Sequence, residues 1–357
     1  MSSLAYESIS AFWLCRKKLI SLHRTANMTK RNKTSIVFVG SGAIATALGN
    51  ILAQDEDYLV TLLSIEKDVI ESVNAEHVNE KYFPTVRLSP LLRATEDKSV
   101  LGSADMVFLA IPSVTIVEYL THNRENLSPE AILVNLAKGF GNERDIIPDC
   151  LAQILPNPLA TLKGPSFARE IINRQPTAFT LASENEDLFD VFDELFDNTT
   201  IHLDYSTDVR GVEYASILKN IYAIIIGIVD AHYDSPNLRS LVLTLAINEM
   251  RSLISRFGGR EETMFHYCGF GDFTLTALND LSRNRTLGLL IGKGFFTSNI
   301  SDKVVLEGRI AVNVLCEQLS GQEGACVQFP LITELHKVFN QEYDIKNFVS
   351  RILRRHN

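Results

Sequence analysis

Four short stretches of the chain hold residues whose types and spacing could do chemistry. Lys219-Asn220 lies in the middle of an apolar run, residues 211–229. A lysine kept from water loses part of its preference for the charged form, so it can give and take a proton near neutrality. Its same-face neighbours Ala215, Ser216, Tyr222 and Ala223 leave space for a ligand. Taken alone, it reads equally as a lysine on a solvated stripe. Ser282-Arg283-Asn284-Arg285 precedes another helical stretch, with Ser282 placed to cap it. An arginine and an amide beside a helix N-terminus make a phosphate site, because the guanidinium is a bidentate fork. The competing reading is a capping turn with solvated arginines. Gly269-Phe270-Gly271-Asp272 comes just before, with Thr276 one helical turn after Asp272. A buried aspartate near Lys219 would hold and tune its ammonium. Lys138 ends an apolar strand on the ligand side of a sheet, where a cation meets an anionic substrate.

A fifth stretch is a cofactor turn. Gly40-Ser41-Gly42-Ala43-Ile44-Ala45 is G-x-G-x-x-A, directly after a strand and directly before a helix. The first glycine allows the tight turn and the second lets the backbone approach a pyrophosphate. The small third residue permits close packing of helix on sheet, and the phosphates sit on the positive helix end. At the end of the second strand stands Glu66, followed by Lys67. An acid there binds the ribose 2′-hydroxyl of NAD and repels the 2′-phosphate of NADP, whereas Lys67 would neutralise that phosphate. NAD(H) is favoured, with NADP(H) possible.

The elements that must position these groups follow from periodicity. Residues 35–39, 58–63, 106–111, 131–136, 159–162 and 178–181 read as short apolar strands, and residues 43–54 as a helix between the first two. Strands alternating with helices mean a doubly wound sheet with ligands at the carboxyl ends of its strands. After about residue 205 the spacing turns helical. Residues 211–229 are apolar nearly all round, which predicts a central buried helix, and further helices are expected over 236–257, 304–319 and 330–339. The fold class is therefore an α/β, Rossmann-type dinucleotide-binding domain over residues 34–205 plus an all-α C-terminal domain over residues 206–357. The cleft between them is the expected active site.

The whole-chain quantities agree. A chain of 357 residues suits two domains, and 46 % apolar with 22 % charged residues suits a packed core rather than disorder. Residues 1–33 hold seven lysines and arginines against Glu7 alone; with a total of −9, this leaves −15 on the rest. Such an acidic body disfavours nucleic acid as the main partner. The five scattered cysteines form no CxxC pair and the eight histidines no ligand cluster, so reduced thiols and no metal are expected. No uninterrupted apolar run approaches the roughly 18–20 residues of a membrane span. The basic extension has transit-peptide composition, but a start at Met28 fits better, and that start makes the chain cytoplasmic rather than organellar.

Together the motifs resemble the NAD(P)-dependent glycerol-3-phosphate dehydrogenases of bacterial type. The matching segments are G-S-G-A-I-A-T-A-L (40–48), A-I-P-S (110–113), A-K-G (137–139), G-P-S-F-A-R-E (164–170), P-T-A (176–178), G-V-E-Y-A-S-I-L-K-N-I-Y-A (211–223), G-F-G-D-F-T-L-T (269–276), S-R-N-R (282–285) and V-L-E-G (305–308). The resemblance implies that Lys219 is the general acid/base. It implies glycerol-phosphate contacts at Lys138, Gly164, Ser166, Asp272, Ser282, Arg283 and Asn284, with Thr276 an active-site neighbour. It implies cofactor contacts at the backbone around Ser41, at Lys138, Ala168, Arg283 and Glu307, and a homodimer. The chain departs from the family at Ile44 and Ala45, where tryptophan and glycine are common, and around Ile65-Glu66, where many members carry a base. The competing readings are a two-domain dehydrogenase of the ketopantoate type, and an NADH-binding sensor without turnover.

Overall fold

The computed structural model describes residues 33–141, 145–295, 302–320 and 328–354, with residues 302–307 as backbone alone. The basic extension, with Cys15 and Met28, lies outside the described residues, as does Cys326.

Eight strands form one sheet: β1 (Thr34–Val39), β2 (Tyr58–Leu63), β3 (Arg93–Thr95), β4 (Met106–Leu109), β5 (Ile132–Asn135), β6 (Leu159–Lys163), β7 (Thr177–Ala182) and β8 (Ile201–Ser206). Their order is β3-β2-β1-β4-β5-β6-β7-β8. Successive side chains of β1 alternate between two cores. Ile36 and Phe38 enter one cluster, Val37 and Val39 the other, so both faces must be covered by helices. On one side of β1 the chain goes to β2 and on the other it returns to β4, which opens a crevice at the carboxyl ends of those strands. β6 and β7 pair antiparallel, and β7 with β8 parallel, so the sheet is not uniformly parallel. Two strands escape the apolar-run criterion. β3 is only three residues, and β8 alternates polar with apolar (I-H-L-D-Y-S) as an edge strand does.

The helices of this half are α1 (Ala43–Leu52), α2 (Lys67–Glu76), α3 (Ser113–His122), α4 (Ile147–Ala152), α5 (Ala168–Ile172) and α6 (Asp187–Phe196). α1 ends two residues before the sequence-based expectation. From Val209 onward the described residues hold no strand. α7 (Val209–His232), α8 (Pro236–Arg256), α9 (Asp272–Leu278), α10 (Arg283–Gly292), α11 (Asp302–Ser320), α12 (Pro330–Asn340) and α13 (Phe348–Arg354) share one large apolar cluster.

α7 is the axis of this half. Asp208 caps it by accepting from the Gly211 amide at 2.9 Å. Among the described residues it is the one helix long and apolar enough to cross a membrane, although no unbroken apolar run in it is that long. Its most apolar window is 94 % buried, so it is a core helix. Glu249 of α8 reaches across the core to accept from the Tyr222 hydroxyl at 2.8 Å and from the Leu331 amide, at the start of α12, at 2.8 Å. Burial raises the Glu249 carboxyl to about 7. The fold therefore favours its protonated form, and that contribution to stability is lost as pH rises through 7.

α7 and α10 cross at two glycines. A Cβ on Gly227 would stand 2.3 Å from the Arg285 carbonyl oxygen, and one on Gly288 would stand 2.0 Å from that of Ile224. Backbone fills the space that side chains fill elsewhere, so this crossing has no slack. Gly288→Ala should cost about 1–3 kcal/mol, read as a lower Tm in thermal denaturation. An unchanged Tm would show that the helices can part without penalty.

Candidate active site

Three segments converge on one buried carboxylate. Lys219 comes from the middle of α7, Lys138 from the turn after β5, and Asp272 from the first residue of α9. Asp272 is 1 % exposed. One of its oxygens accepts from Lys219 Nζ at 2.5 Å and the other from Lys138 Nζ at 2.9 Å. Lys219 Nζ also donates to Thr276 Oγ1 at 2.9 Å, and that hydroxyl donates to the Asp272 carbonyl at 2.7 Å. Lys138 Nζ donates to the Gly164 carbonyl at 3.2 Å, which Ser166 Oγ also reaches, at 2.8 Å. Burial lowers the Lys219 pKa to about 7, against the opposing pull of Asp272 and with help from Lys138. An ammonium so poised can act as a general acid near neutrality. Its neighbours Ala215, Ser216, Tyr222 and Ala223 do not leave the space expected of them; all are fully buried in the core around α7.

Asp272 is aimed by a short π-helical turn, Tyr267–Gly271, of a kind that recurs at functional sites. Three bonds hold this turn to the sheet. His266 Nδ1 lies 2.8 Å from Asp204 Oδ2, the Tyr267 amide donates to the same oxygen at 3.3 Å, and the Cys268 amide donates to Thr180 Oγ1 at 3.0 Å.

Beside Lys219, Asn220 Oδ1 accepts from Asn284 Nδ2 at 2.9 Å, which brings the start of α10 to the site. Ser282 caps that helix through the Arg285 amide at 3.3 Å. The two arginines of S-R-N-R divide their work. Arg285 is spent inside the protein, on Asp230 at 2.8 Å and Asp280 at 2.6 Å. Arg283 is exposed and makes no ion pair among the described residues. Its guanidinium fork is therefore able to take an anion.

The glycine turn fits a dinucleotide. Gly40 has φ +111°, and a Cβ there would stand 2.8 Å from the Ala110 carbonyl oxygen. A Cβ on Gly42 would meet nothing within 4 Å, and α1 begins without a side-chain cap. No side chain claims its first amides, which leaves them for a pyrophosphate. Ser41 Oγ turns inward to Ser64 Oγ at 2.6 Å and its carbonyl accepts from Thr46 and Asn79, so only its amide is available. Ala45 is fully buried, and Ala43 and Ile44 pack against the same core, so these residues seat the helix on the sheet. Ala168 opens α5, which packs on α1. Glu66 accepts from Lys81 Nζ with one oxygen; the other is buried and unpartnered, an acceptor without a donor. Lys67 stands in solvent, 4.0 Å from Glu96. Glu307 lies on α11, with its side chain outside the described residues.

The structure thus gathers Lys138, Gly164, Ser166, Lys219, Asp272 and Thr276 directly, and adds Ser282, Arg283 and Asn284 through Asn220. Sequence reasoning missed Lys81, which lies 15 residues from Glu66, and a fully buried pair behind the site, Lys163 and Glu213. The signal for Lys163 was present: a lysine closing the apolar strand L-A-T-L-K has no solvent to reach. Among the described residues no group of three or more His, Cys, Asp or Glu side chains could hold a metal, and Cys150, Cys268 and Cys316 are buried thiols in no disulfide.

Comparison with known proteins gives this geometry its place. Sequence models of the N-terminal and C-terminal parts of NAD-dependent glycerol-3-phosphate dehydrogenase match residues 35–189 and 208–350. The NAD(P)+ glycerol-3-phosphate dehydrogenase of Leptospira biflexa is 31 % identical over 328 residues, covering 90 % of this chain and 97 % of that protein. That of Myxococcus xanthus is 34 % identical over 262 residues, covering 72 % and 78 %. The crystal structure of glycerol-3-phosphate dehydrogenase from Coxiella burnetii superposes with a TM-score of 0.81 at 29 % identity, covering 90 % of this chain and 99 % of that one. A ketopantoate reductase from Ralstonia eutropha reaches a TM-score of 0.53 at 12 % identity, a likeness of fold alone. The chain belongs to the NAD-dependent glycerol-3-phosphate dehydrogenase family.

Proposed function

We propose that the chain interconverts dihydroxyacetone phosphate and sn-glycerol 3-phosphate with a nicotinamide cofactor, supplying glycerol 3-phosphate for glycerophospholipid synthesis. The observation that carries this reading is a buried, Asp272-bound Lys219 adjoining Asn220, which ties the exposed Arg283 and Asn284 to the same site. A general acid beside an anion fork suits a phosphorylated ketone. A carboxylate substrate of the ketopantoate kind has no use for the phosphate end, and a sensor without turnover has no use for the acid.

When bound, the cofactor supplies hydride to C2 of the ketone. The backbone of residues 40–43 and the start of α1 would hold its pyrophosphate, and the free oxygen of Glu66 its ribose. Lys219 gives its proton to the ketone oxygen as negative charge develops there, and takes it back in the reverse direction. Asp272 and Thr276 hold the ammonium in line and stabilise it in a site that excludes water. Lys138 adds a second positive charge at the substrate's oxygens. Arg283, Asn284 and the amides at the start of α10 bind the phosphate, and that remote binding energy fixes the carbonyl against the hydride donor. NAD(H) is the favoured cofactor and NADP(H) a possible one, because Lys81 offsets the charge of Glu66 without removing it.

The division into a dinucleotide-binding domain through residue 205 and a helical substrate domain from 206 belongs to this reading. The change from strand to helix between Ser206 and Val209 supports it. A homodimer rests on the family resemblance, and a cytoplasmic location on the bacterial origin of the relatives.

The deciding experiment follows the absorbance of the reduced cofactor with dihydroxyacetone phosphate. The purified chain should oxidise NADH, and Lys219→Ala should lower kcat about 10²–10⁴-fold with little change in Tm. For the parent, ketone reduction should fall and alcohol oxidation should rise as pH passes about 7, where Lys219 loses its proton. No turnover by a folded parent would sink the assignment. Arg283→Ala should chiefly raise KM for the phosphorylated substrate, by about tenfold or more; an unchanged KM would move the phosphate site elsewhere. Glu66→Gln should shift the NADPH to NADH ratio of kcat/KM about tenfold toward NADPH. An unmoved ratio would remove Glu66 from the ribose site.

A further inference from the structure

Behind the site, and out of reach of substrate, lies a second lysine–carboxylate pair. Lys163 closes β6 and Glu213 belongs to the first turns of α7; both side chains are 0 % exposed. Their nearest N–O distance is 3.2 Å. Lys163 Nζ also donates to the Asn135 carbonyl at 3.2 Å and to the Ala137 carbonyl. An ammonium has three N–H donors, and here all three have acceptors. Glu213 Oε1 accepts in addition from Asn135 Nδ2 at 2.8 Å and from Thr161 Oγ1. Asn135 Oδ1 in turn accepts from the Ala137 amide at 3.0 Å.

The chain positions of these partners are informative. Ala137 immediately precedes Lys138. Lys163 immediately precedes Gly164, whose carbonyl takes Lys138 and Ser166. Glu213 lies six residues before Lys219 on one rigid helix, a rise of about 9 Å. The buried knot therefore joins the three backbone segments from which the site hangs its lysines and its Gly164-Ser166 turn.

We propose that Lys163 and Glu213 are positioning residues for the reaction: their ion pair sets the A-K-G turn, the Gly164 turn and α7 in register, and so fixes Lys138 against Asp272. The proposal deepens the reading of the site as a phosphate-ketone reductase and rests on it. Burial lowers the Lys163 pKa to about 8, so the ammonium is charged at neutral pH. The ammonium takes its two remaining acceptors from the backbone that leads into Lys138. An apolar or neutral replacement of a buried ion pair is often as stable as the pair itself. Stability and positioning can therefore be separated.

The test is the double variant Lys163→Met with Glu213→Gln, made in the full chain. The glutamine keeps an acceptor for Asn135 and Thr161, and no charge is stranded. The double variant should melt within about 5 °C of the parent. Its Kd for NADH, read by fluorescence, should change less than its KM for dihydroxyacetone phosphate. Its kcat/KM for dihydroxyacetone phosphate should fall about tenfold to a hundredfold, with most of the loss in KM. A double variant with the parent's kcat and KM overturns the proposal. If the double variant fails to fold, Glu213→Asp alone carries the test: it keeps both charges and draws the carboxylate back by one methylene, with the same direction and a smaller loss, and parental kinetics there overturn the proposal equally. If the parent itself shows no turnover, the functional reading fails instead. The crystal structure of the double variant then decides the positioning: Lys138 Nζ displaced from Asp272 supports it, and the parental 2.9 Å contact overturns it.

Discussion

An ammonium group taken out of water must find a counter-charge or surrender its proton, and this site takes two of them to the same place. Asp272 satisfies one with each oxygen. Remove that carboxylate and Lys138 and Lys219 would face each other as like charges in a medium that screens poorly. Keep it, and the two lysines from opposite halves of the chain are held a few ångströms apart, one with its proton loosened by burial and the other partly open to solvent. Much of the surrounding structure serves the placement of this one group. The π-helical turn offsets Asp272 from the preceding backbone, and the bonds to Asp204 and Thr180 tie that turn to the last two strands.

The electrostatic arrangement is local rather than global. The described body of the protein is acidic, yet Lys138, Lys219 and Arg283 outnumber the single carboxylate between them. The net charge of the body opposes an anion, whereas the site itself gathers more cations than carboxylates. Selection of an anionic ligand thus depends on a few fixed groups and not on the protein's overall charge.

Most of the fold could be read from the residues because its parts announce themselves by period. The inner strands hold short apolar runs and α7 is apolar nearly all round. What stayed hidden lacked such a pattern. β3 is too short to show a period, and β8 alternates as an edge strand. The antiparallel placing of β7 depends on a path between strands, which local composition does not encode. At the site, Lys219, Asp272 and Arg283 were legible because each type in its context has a chemical meaning. Which arginine of S-R-N-R would be exposed was not legible, because Asp230 and Asp280, which claim Arg285, are identified by folding alone. Lys163 shows its burial in the strand that it closes, but neither it nor Lys81 shows its partner. Their partners lie 15 and 50 residues away in the chain, and an ordinary lysine gives no sign of a distant carboxylate.

The glycine crossing of α7 and α10 has a metric consequence. Lys219 rides on one helix and Arg283 stands at the start of the other, and the helices touch backbone to backbone at Gly227 and Gly288. No side chain lies between them there to compress or rearrange. The separation of the two backbones that carry the proton donor and the anion fork is therefore fixed. A substrate one carbon longer or shorter would have to be met by the side chains, with no compensating give at the helix contact. Discrimination by length would then rest in part on a pair of missing methyl groups at that contact, and not only on the residues that touch the substrate.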